Sequence, residues 1–194
     1  MFSGKTTALL RRVEELERAG LSIALVKSSK DDRYSQEHVV THNGLSRPCY
    51  AVRSLAALPE VLQDAWRSVQ VIALDEAQFI PDLLDGVTAS VDGGRRWIIA
   101  GLDGDFQRRP IGQVLDLIPH ADEVQKLKAH CQLCLREGVT RAAPFTLRYS
   151  ADTDSRQEVV GGAELYAPAC RFHFLQHTAR KESDATLELC DALR

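Results

Sequence analysis

Apolar residues Leu9, Leu10, Val13 and Leu16 recur at helical spacing through KTTALLRRVEELERA, and Gly20 follows them. The pattern predicts a helix over residues 5–19 closed by a glycine cap. LSIALVKSS then runs apolar and β-branched, which predicts a strand over 22–27. The pair of signals returns twice. Helical spacing over 55–67 precedes VQVIALD, which ends at Asp75, and a helical stretch over 81–91 precedes RRWIIAGLD, which ends near Asp103. Strands without internal polar alternation belong in a parallel sheet covered by helices on both faces. A further helix over 111–118 and a short strand over 123–127 complete this part of the chain.

Beyond Ala129 the periodicity is lost. Up to about Phe174 the chain is polar and turn-rich, punctuated by cysteine, glycine and proline, with PFTLRYS and EVVGG as short stretches able to pair as strands. The expected organisation is an α/β domain over 1–128, a second small unit over 129–175 and a tail over 176–194, with helical spacing in ATLELCDAL.

With 194 residues, 44% of them hydrophobic, the chain has apolar material for one domain and a small appendage. Its net charge of -3 arises from 24 basic and 27 acidic residues, so no overall field attracts a nucleic-acid backbone or an anionic membrane, and neither partner is expected. Any anionic ligand must be captured locally. No apolar run approaches the roughly 20 residues that span a bilayer, and MFSGKTTALLRR lacks the apolar region and cleavage site of a secretory leader, so a cytoplasmic location is expected. Five cysteines, two of them in Cys131-x-x-Cys134, favour a metal site or free thiols over secreted disulfides.

Ser3-Gly4-Lys5-Thr6-Thr7 at the head of the first helix is the second half of a Walker A loop, G-x-x-x-x-G-K-[ST]. Gly4 lets backbone amides close around phosphate oxygens, Lys5 neutralises β/γ charge, and the Thr6 hydroxyl can ligate Mg²⁺. The bland reading is an ordinary capped helix, but Asp75 stands at the C-terminal end of an apolar strand, where a Walker B carboxylate holds the magnesium shell. Glu76 follows it, and two adjacent acids at a strand end suit a site that uses them. A hydroxyl acceptor in phosphoryl transfer benefits from a carboxylate base within hydrogen-bond reach, and Glu76 is the candidate general base. Only Met1, Phe2 and Ser3 precede Gly4, so the first glycine of the loop and the strand that feeds it are expected but absent, most simply through a truncated gene model or misplaced start.

Cys131-Gln-Leu-Cys134 and Cys170-Arg-Phe-His173 are knuckles of identical spacing. Each turn can aim two ligands at one tetrahedral ion, and together they complete the closed set of a structural Zn²⁺ site. A lone C-x-x-C would read equally as a redox dithiol. His130, His177 or Cys190 could replace His173, while Cys49 reads as an ordinary small apolar residue.

Taken in order, MFSGKTT, KDDRYS, LDEAQF, GLDGDFQRRPIG, KLKAHCQLC and EVVGGAELYAPACRFH resemble the zinc-containing, cytosolic-type thymidine kinases over residues 1–174. The resemblance implies a P-loop NTPase-like sheet and transfer of the γ-phosphoryl of ATP to the 5′-hydroxyl of thymidine, often also of deoxyuridine, in nucleotide salvage for DNA synthesis. It further implies Glu76 as catalytic base, with Ser3, Gly4, Lys5, Thr6, Asp31, Arg33 and Asp75 around ATP and Mg²⁺. Gln78, Phe79, Leu102, Phe106 and Ile111 match the nucleoside pocket. Thr146, Val159, Gly161 and Tyr166 match a lasso-like loop hung from the zinc unit, which orders on nucleoside binding in a homotetramer. Ile111 stands where some members carry an aromatic residue, Ala77 where glycine can occur, and REGVTRAAPF is longer than in some relatives. Two other readings are a catalytically silent nucleotide-binding homologue and a nucleic-acid-binding knuckle carried by an ATPase. The knuckle reading has Lys126, Lys128, Arg136, Arg141 and Arg148 in its favour but few stacking rings.

Overall fold

An isolated helix of 14 residues is marginal in water, so α1 (Lys5–Arg18) depends on the stripe that it buries, Leu9, Leu10 and Val13. Each of those side chains contributes about 1.5–3 kcal/mol on leaving water. The structure, a computed structural model, describes residues 1–31, 38–40, 44, 46–149 and 161–179. It divides into two compact units, Gly4–Lys126 and a second that joins Met1–Ser3 to the chain from Leu127.

In the first unit α1 leads to β1 (Ile23–Ser28), β2 (His38–Val40), β3 (Ser46–Pro48) and β4 (Tyr50–Val52). Then come α2 (Leu58–Leu62), α3 (Ala65–Ser68), β5 (Val71–Asp75), α4 (Leu83–Asp92) and β6 (Arg96–Ile99). The main sheet has the order β4-β1-β5-β6, all parallel, with Lys27 opposite Asp75 in register. Alternate residues supply its two faces, as a period-2 strand requires. Leu25 and Ala73 pack under Leu9, Leu10 and Val13 of α1, while Val26, Ile72 and Leu74 pack against Leu58 and Leu62 of α2 and Leu83 and Val87 of α4. The sheet is thus covered on both faces, as the unalternating strands require.

The end of α1 follows from one residue. Gly20 sits at φ 83 just past the last turn, its amide donating to the Glu17 carbonyl at 2.9 Å and that of Leu21 to Leu16 at 3.1 Å. These are the paired bonds of a Schellman cap, which needs a left-handed residue at that point.

Three expectations are corrected. The stretch 55–67 is a 3-10 turn (Leu55–Ala57) followed by α2 and α3, because Gln63 adopts φ 49 and interrupts the helical path. Over 111–118 the expected helix gives way to a 3-10 helix at Leu115–His120, since Gly112 holds φ +57 and cannot sit in a right-handed turn. Residues 123–127 form no strand, for Val124 is 58% exposed and has no core to join.

The second unit holds β7 (Ala129–His130), α5 (Gln132–Arg136), β8 (Ala142–Ala143), β9 (Phe145–Arg148) and β10 (Tyr166–Ala169), and residues 171–179 are helical. β7 pairs with β8, and β9 with β10, both antiparallel. PFTLRYS supplies β9, whose described partner is YAPA; of EVVGG only Gly161 and Gly162 lie among the described residues. The helical expectation for ATLELCDAL lies outside them. No described helix is long and apolar enough to cross a membrane.

Gly20 and Gly93 make a paired test of the capping argument. Gly20→Ala is expected to cost about 1 kcal/mol, since an L side chain must enter the left-handed region. Gly93→Ala, at φ -77, is expected to be neutral or stabilising through the unfolded state; urea unfolding of both variants checks the difference in sign.

Candidate functional site

At the head of α1, Gly4 adopts φ 77 with nothing within 4 Å of where a Cβ would lie. Conformation, not space, makes this position glycine's. By helix geometry the amides of the first turn have no carbonyl acceptor within α1, and they open beside Lys5 and Thr6 with the positive end of the helix dipole. The Thr6 hydroxyl donates to Asp75 Oδ2 at 2.8 Å, and the Glu76 amide donates to Asp75 Oδ1 at 3.0 Å. Asp75 ends β5 with 5% of its surface exposed. Burial pushes its carboxyl up to about 6 and the charge of Glu76 adds to this, while the Thr6 hydroxyl, Lys5 and the Glu76 amide pull the other way. A cation would relieve that burial, and an aspartate and a hydroxyl are the oxygen donors that Mg²⁺ takes.

Glu76 occupies the left-handed region, φ 52 and ψ 43, an arrangement that costs about 1–3 kcal/mol in a residue with a β-carbon. Its neighbours over-determine it. The Ala77 amide donates to the Ala100 carbonyl at 3.0 Å, the Phe79 amide to the Glu76 carbonyl at 3.2 Å, and Gln78 Nε2 to Glu76 Oε2 at 2.6 Å. Gln78 is itself buried, and its Oε1 accepts the Leu102 amide at 3.0 Å. One side chain thus ties the carboxylate of Glu76 to the loop after β6, a role that sequence reasoning did not give it.

The other expected residues of this unit are partly gathered here. Phe79 is half-buried at the end of the 3-10 turn Ala77–Phe79, Leu102 follows β6, and Ile111 is buried beside Gly112. Phe106 follows Asp105, a buried carboxylate that accepts from the amides of Gln107 and Arg109 at 2.8 Å and from Arg109 Nε at 2.9 Å. Asp31 is buried, and Lys27 Nζ donates to its carbonyl at 2.9 Å and lies 3.9 Å from its Oδ2. Lys27 escaped notice in the sequence, although a lysine within an otherwise apolar strand was the available signal. Arg33 lies outside the described residues.

In the second unit lie Ser3, Thr146 on β9, Gly161 and Tyr166 on β10; Val159 is outside the described residues. Thr146 Oγ1 accepts from the Met1 ammonium at 2.9 Å. A Cβ on Gly161 would meet Leu165 Cδ1 at 2.4 Å, and the Gly162 amide donates to Glu164 Oε1 at 2.6 Å, so this is a tight turn into β10. Tyr166 is buried.

Cys131, Cys134, Cys170 and His173 are all buried, with one ligand atom of each within 4.8 Å of the others. His173 Nδ1 lies 3.4 Å from the sulfurs of Cys131 and Cys134 and 3.6 Å from that of Cys170, and Cys134 and Cys170 are 3.8 Å apart. Zn–S bonds of about 2.3 Å and a Zn–N bond of about 2.0–2.1 Å imply tetrahedral edges of about 3.5 Å (N to S) and about 3.8 Å (S to S). The set fits one zinc ion. It also selects His173, since His130 is exposed and His177 packs its ring on Tyr149; Cys190 lies outside the described residues. Burial opposes ionisation of Cys131, yet backbone amides at Cys134 and Cys170 and the His173 ring bring its thiol down to about 6. Burial and the neighbouring sulfurs of Cys131 and Cys170 push Cys134 up to about 12. Several thiolates cannot share this space without a cation among them.

A family model described as thymidine kinase matches residues 1–174. Thymidine kinase a of Arabidopsis thaliana is 46% identical over 197 residues, covering 100% of this chain and 80% of that protein. The thymidine kinase of Oryza sativa subsp. japonica is 47% identical over 178 residues, covering 90% and 63% respectively. The cytosolic thymidine kinase of Homo sapiens is 39% identical over 176 residues, covering 91% and 70%.

The crowding at Gln78 has a measurable consequence. A Cβ on Gly112 would lie 2.3 Å from the Gln78 carbonyl oxygen, at a φ of +57. Gly112→Ala is expected to destabilise the fold by about 2 kcal/mol or more, strain and overlap adding, as thermal unfolding beside wild type will show.

Proposed function

The chain belongs to the thymidine kinase family, and from that premise we propose that it transfers the γ-phosphoryl group of ATP to the 5′-hydroxyl of thymidine, with Glu76 as general base. The observation that carries this reading is the Thr6–Asp75–Glu76 arrangement. A hydroxyl from the head of α1 meets a buried carboxylate at 2.8 Å, and the next residue is a second carboxylate held by Gln78 at 2.6 Å. A carboxylate fixed in this way can take the proton of an attacking hydroxyl without first having to be oriented.

The α1 amides, Lys5 and Thr6 supply the positive surroundings that a triphosphate needs, and Thr6 with Asp75 would hold Mg²⁺, which neutralises charge on the phosphates. Ser3, Gly4, Asp31 and Arg33 complete the proposed ATP site, where an arginine stabilises charge developing on the transferred group. Phe79, Leu102, Phe106 and Ile111 are proposed to line the nucleoside pocket, with Gln78 between that pocket and the base. Thr146, Val159, Gly161 and Tyr166 are proposed for the lasso. Deoxyuridine, which lacks only the ring methyl, is a second expected substrate. The family resemblance supports a homotetramer, and relatives named as cytosolic support a cytoplasmic location. The four-ligand cluster is proposed to hold structural Zn²⁺, which would bind the two knuckles to each other.

Transfer of labelled γ-phosphate from Mg·ATP to thymidine tests the reading directly. Glu76→Gln is expected to lower kcat by about 10²–10⁴-fold with little change in thymidine KM; a wild-type chain without transfer, or a variant with full activity, would overturn it. Metal analysis of the purified chain is expected to find one zinc per chain, and Cys134→Ser to reduce that content sharply, because the closed site loses a ligand.

A further inference from the structure

Each cysteine of the cluster has one atom to offer a metal, whereas His173 has two ring nitrogens, and the site works only if the right one carries the lone pair. Nδ1 faces the three sulfurs at 3.4–3.6 Å. On the far side of the ring, Nε2 lies 3.5 Å from Glu137 Oε1. His173 is only 5% exposed, so bulk water cannot readily satisfy its outer N–H.

The fold fixes where Glu137 stands. Cys131 precedes α5, Cys134 lies within it, and Glu137 is its C-cap. Gly138 adopts φ 74, its amide donates to the Leu135 carbonyl at 3.1 Å and that of Val139 donates to Cys134 at 2.9 Å. This is a second Schellman cap. The short helix that presents two thiols thus ends in a rigid turn that sets the carboxylate against the ring. Because 63% of the Glu137 side chain stays exposed, the carboxylate keeps much of its hydration and adds little repulsion towards the thiolates.

We propose that Glu137 is a positioning residue for the metal centre, accepting the Nε2–H of His173 and so fixing the ring orientation and the tautomer whose Nδ1 lone pair is aimed at the ion. The inference rests on the zinc reading above. An acceptor on the outer nitrogen fixes the tautomer and the ring angle and raises the basicity of the ligating nitrogen.

The test is a chelator competition for zinc on the full-length, zinc-loaded chain. Glu137→Ala is expected to weaken zinc binding by about tenfold, and Glu137→Gln to recover part of the loss, because the amide oxygen still accepts the N–H. With His173→Cys in place there is no ring to orient, so Glu137→Ala should then change zinc affinity less than about twofold. Long-range ¹H–¹⁵N spectra of the zinc-loaded wild type should show Nε2 protonated and Nδ1 metal-bound, with the Nε2–H resonance moving in Glu137→Ala. Unchanged affinity in Glu137→Ala, or an equal loss with His173→Cys in place, overturns the proposal while zinc binding stands. A wild-type chain that takes up no zinc overturns the zinc reading itself and the proposal with it.

Discussion

A carboxylate sealed at the end of an apolar strand is the constraint on which the first unit turns. Asp75 is almost wholly buried, and a buried acid is tolerated only where donors reach it. One comes from its own backbone neighbour and the other from Thr6, so the head of α1 must arrive at the C-terminal end of β5. The rest of α1 is built to bring it there. Leu9, Leu10 and Val13 lie on one side of the helix and settle onto Leu25 and Ala73, and Gly20 ends the helix so that β1 can run beside β5. The apolar core therefore acts as the jig for a polar contact, and the contact is where the chemistry is proposed.

The second unit is held on another principle. Its buried clusters are small, one made of Ala129, Cys131, Cys134, Ala143 and Cys170 and another of Leu147, Ala169 and Phe174, and two short antiparallel pairs supply the only described strands. Among the described residues so little apolar area is buried that a crosslink would add much to the stability of this unit. Four ligands drawn from two knuckles provide a place for one, and each knuckle is anchored by the backbone beside it, as in the Cys131 amide donating to Arg141 at 2.8 Å.

What the sequence made legible was what is local or periodic. The stripe of α1, the runs of β1 and β5, the Gly20 cap and the spacing of the knuckles all express rules that act within a few residues, and family motifs supplied the rest of the site. The misses turn on backbone conformations and side-chain partners that apolar spacing does not encode. Helical spacing over 55–67 gave no sign that Gln63 would take φ 49, and the close approach of Gly112 to the Gln78 carbonyl depends on a residue distant in sequence. Gln78 read as one more pocket residue until its two amide bonds were seen. Lys27 looked like the tail of a strand, because its partner Asp31 is reached only after the turn that follows β1.

Glu76 carries one more implication. A left-handed backbone at a position bearing a long side chain is a thermodynamic liability that glycine or asparagine would lessen. Drift governed by folding stability alone would therefore tend to erase the glutamate and leave a sturdier protein behind. On the proposed reading, durability has been given up for a carboxylate at that spot, and stabilising this scaffold by substitution at position 76 would remove its general base.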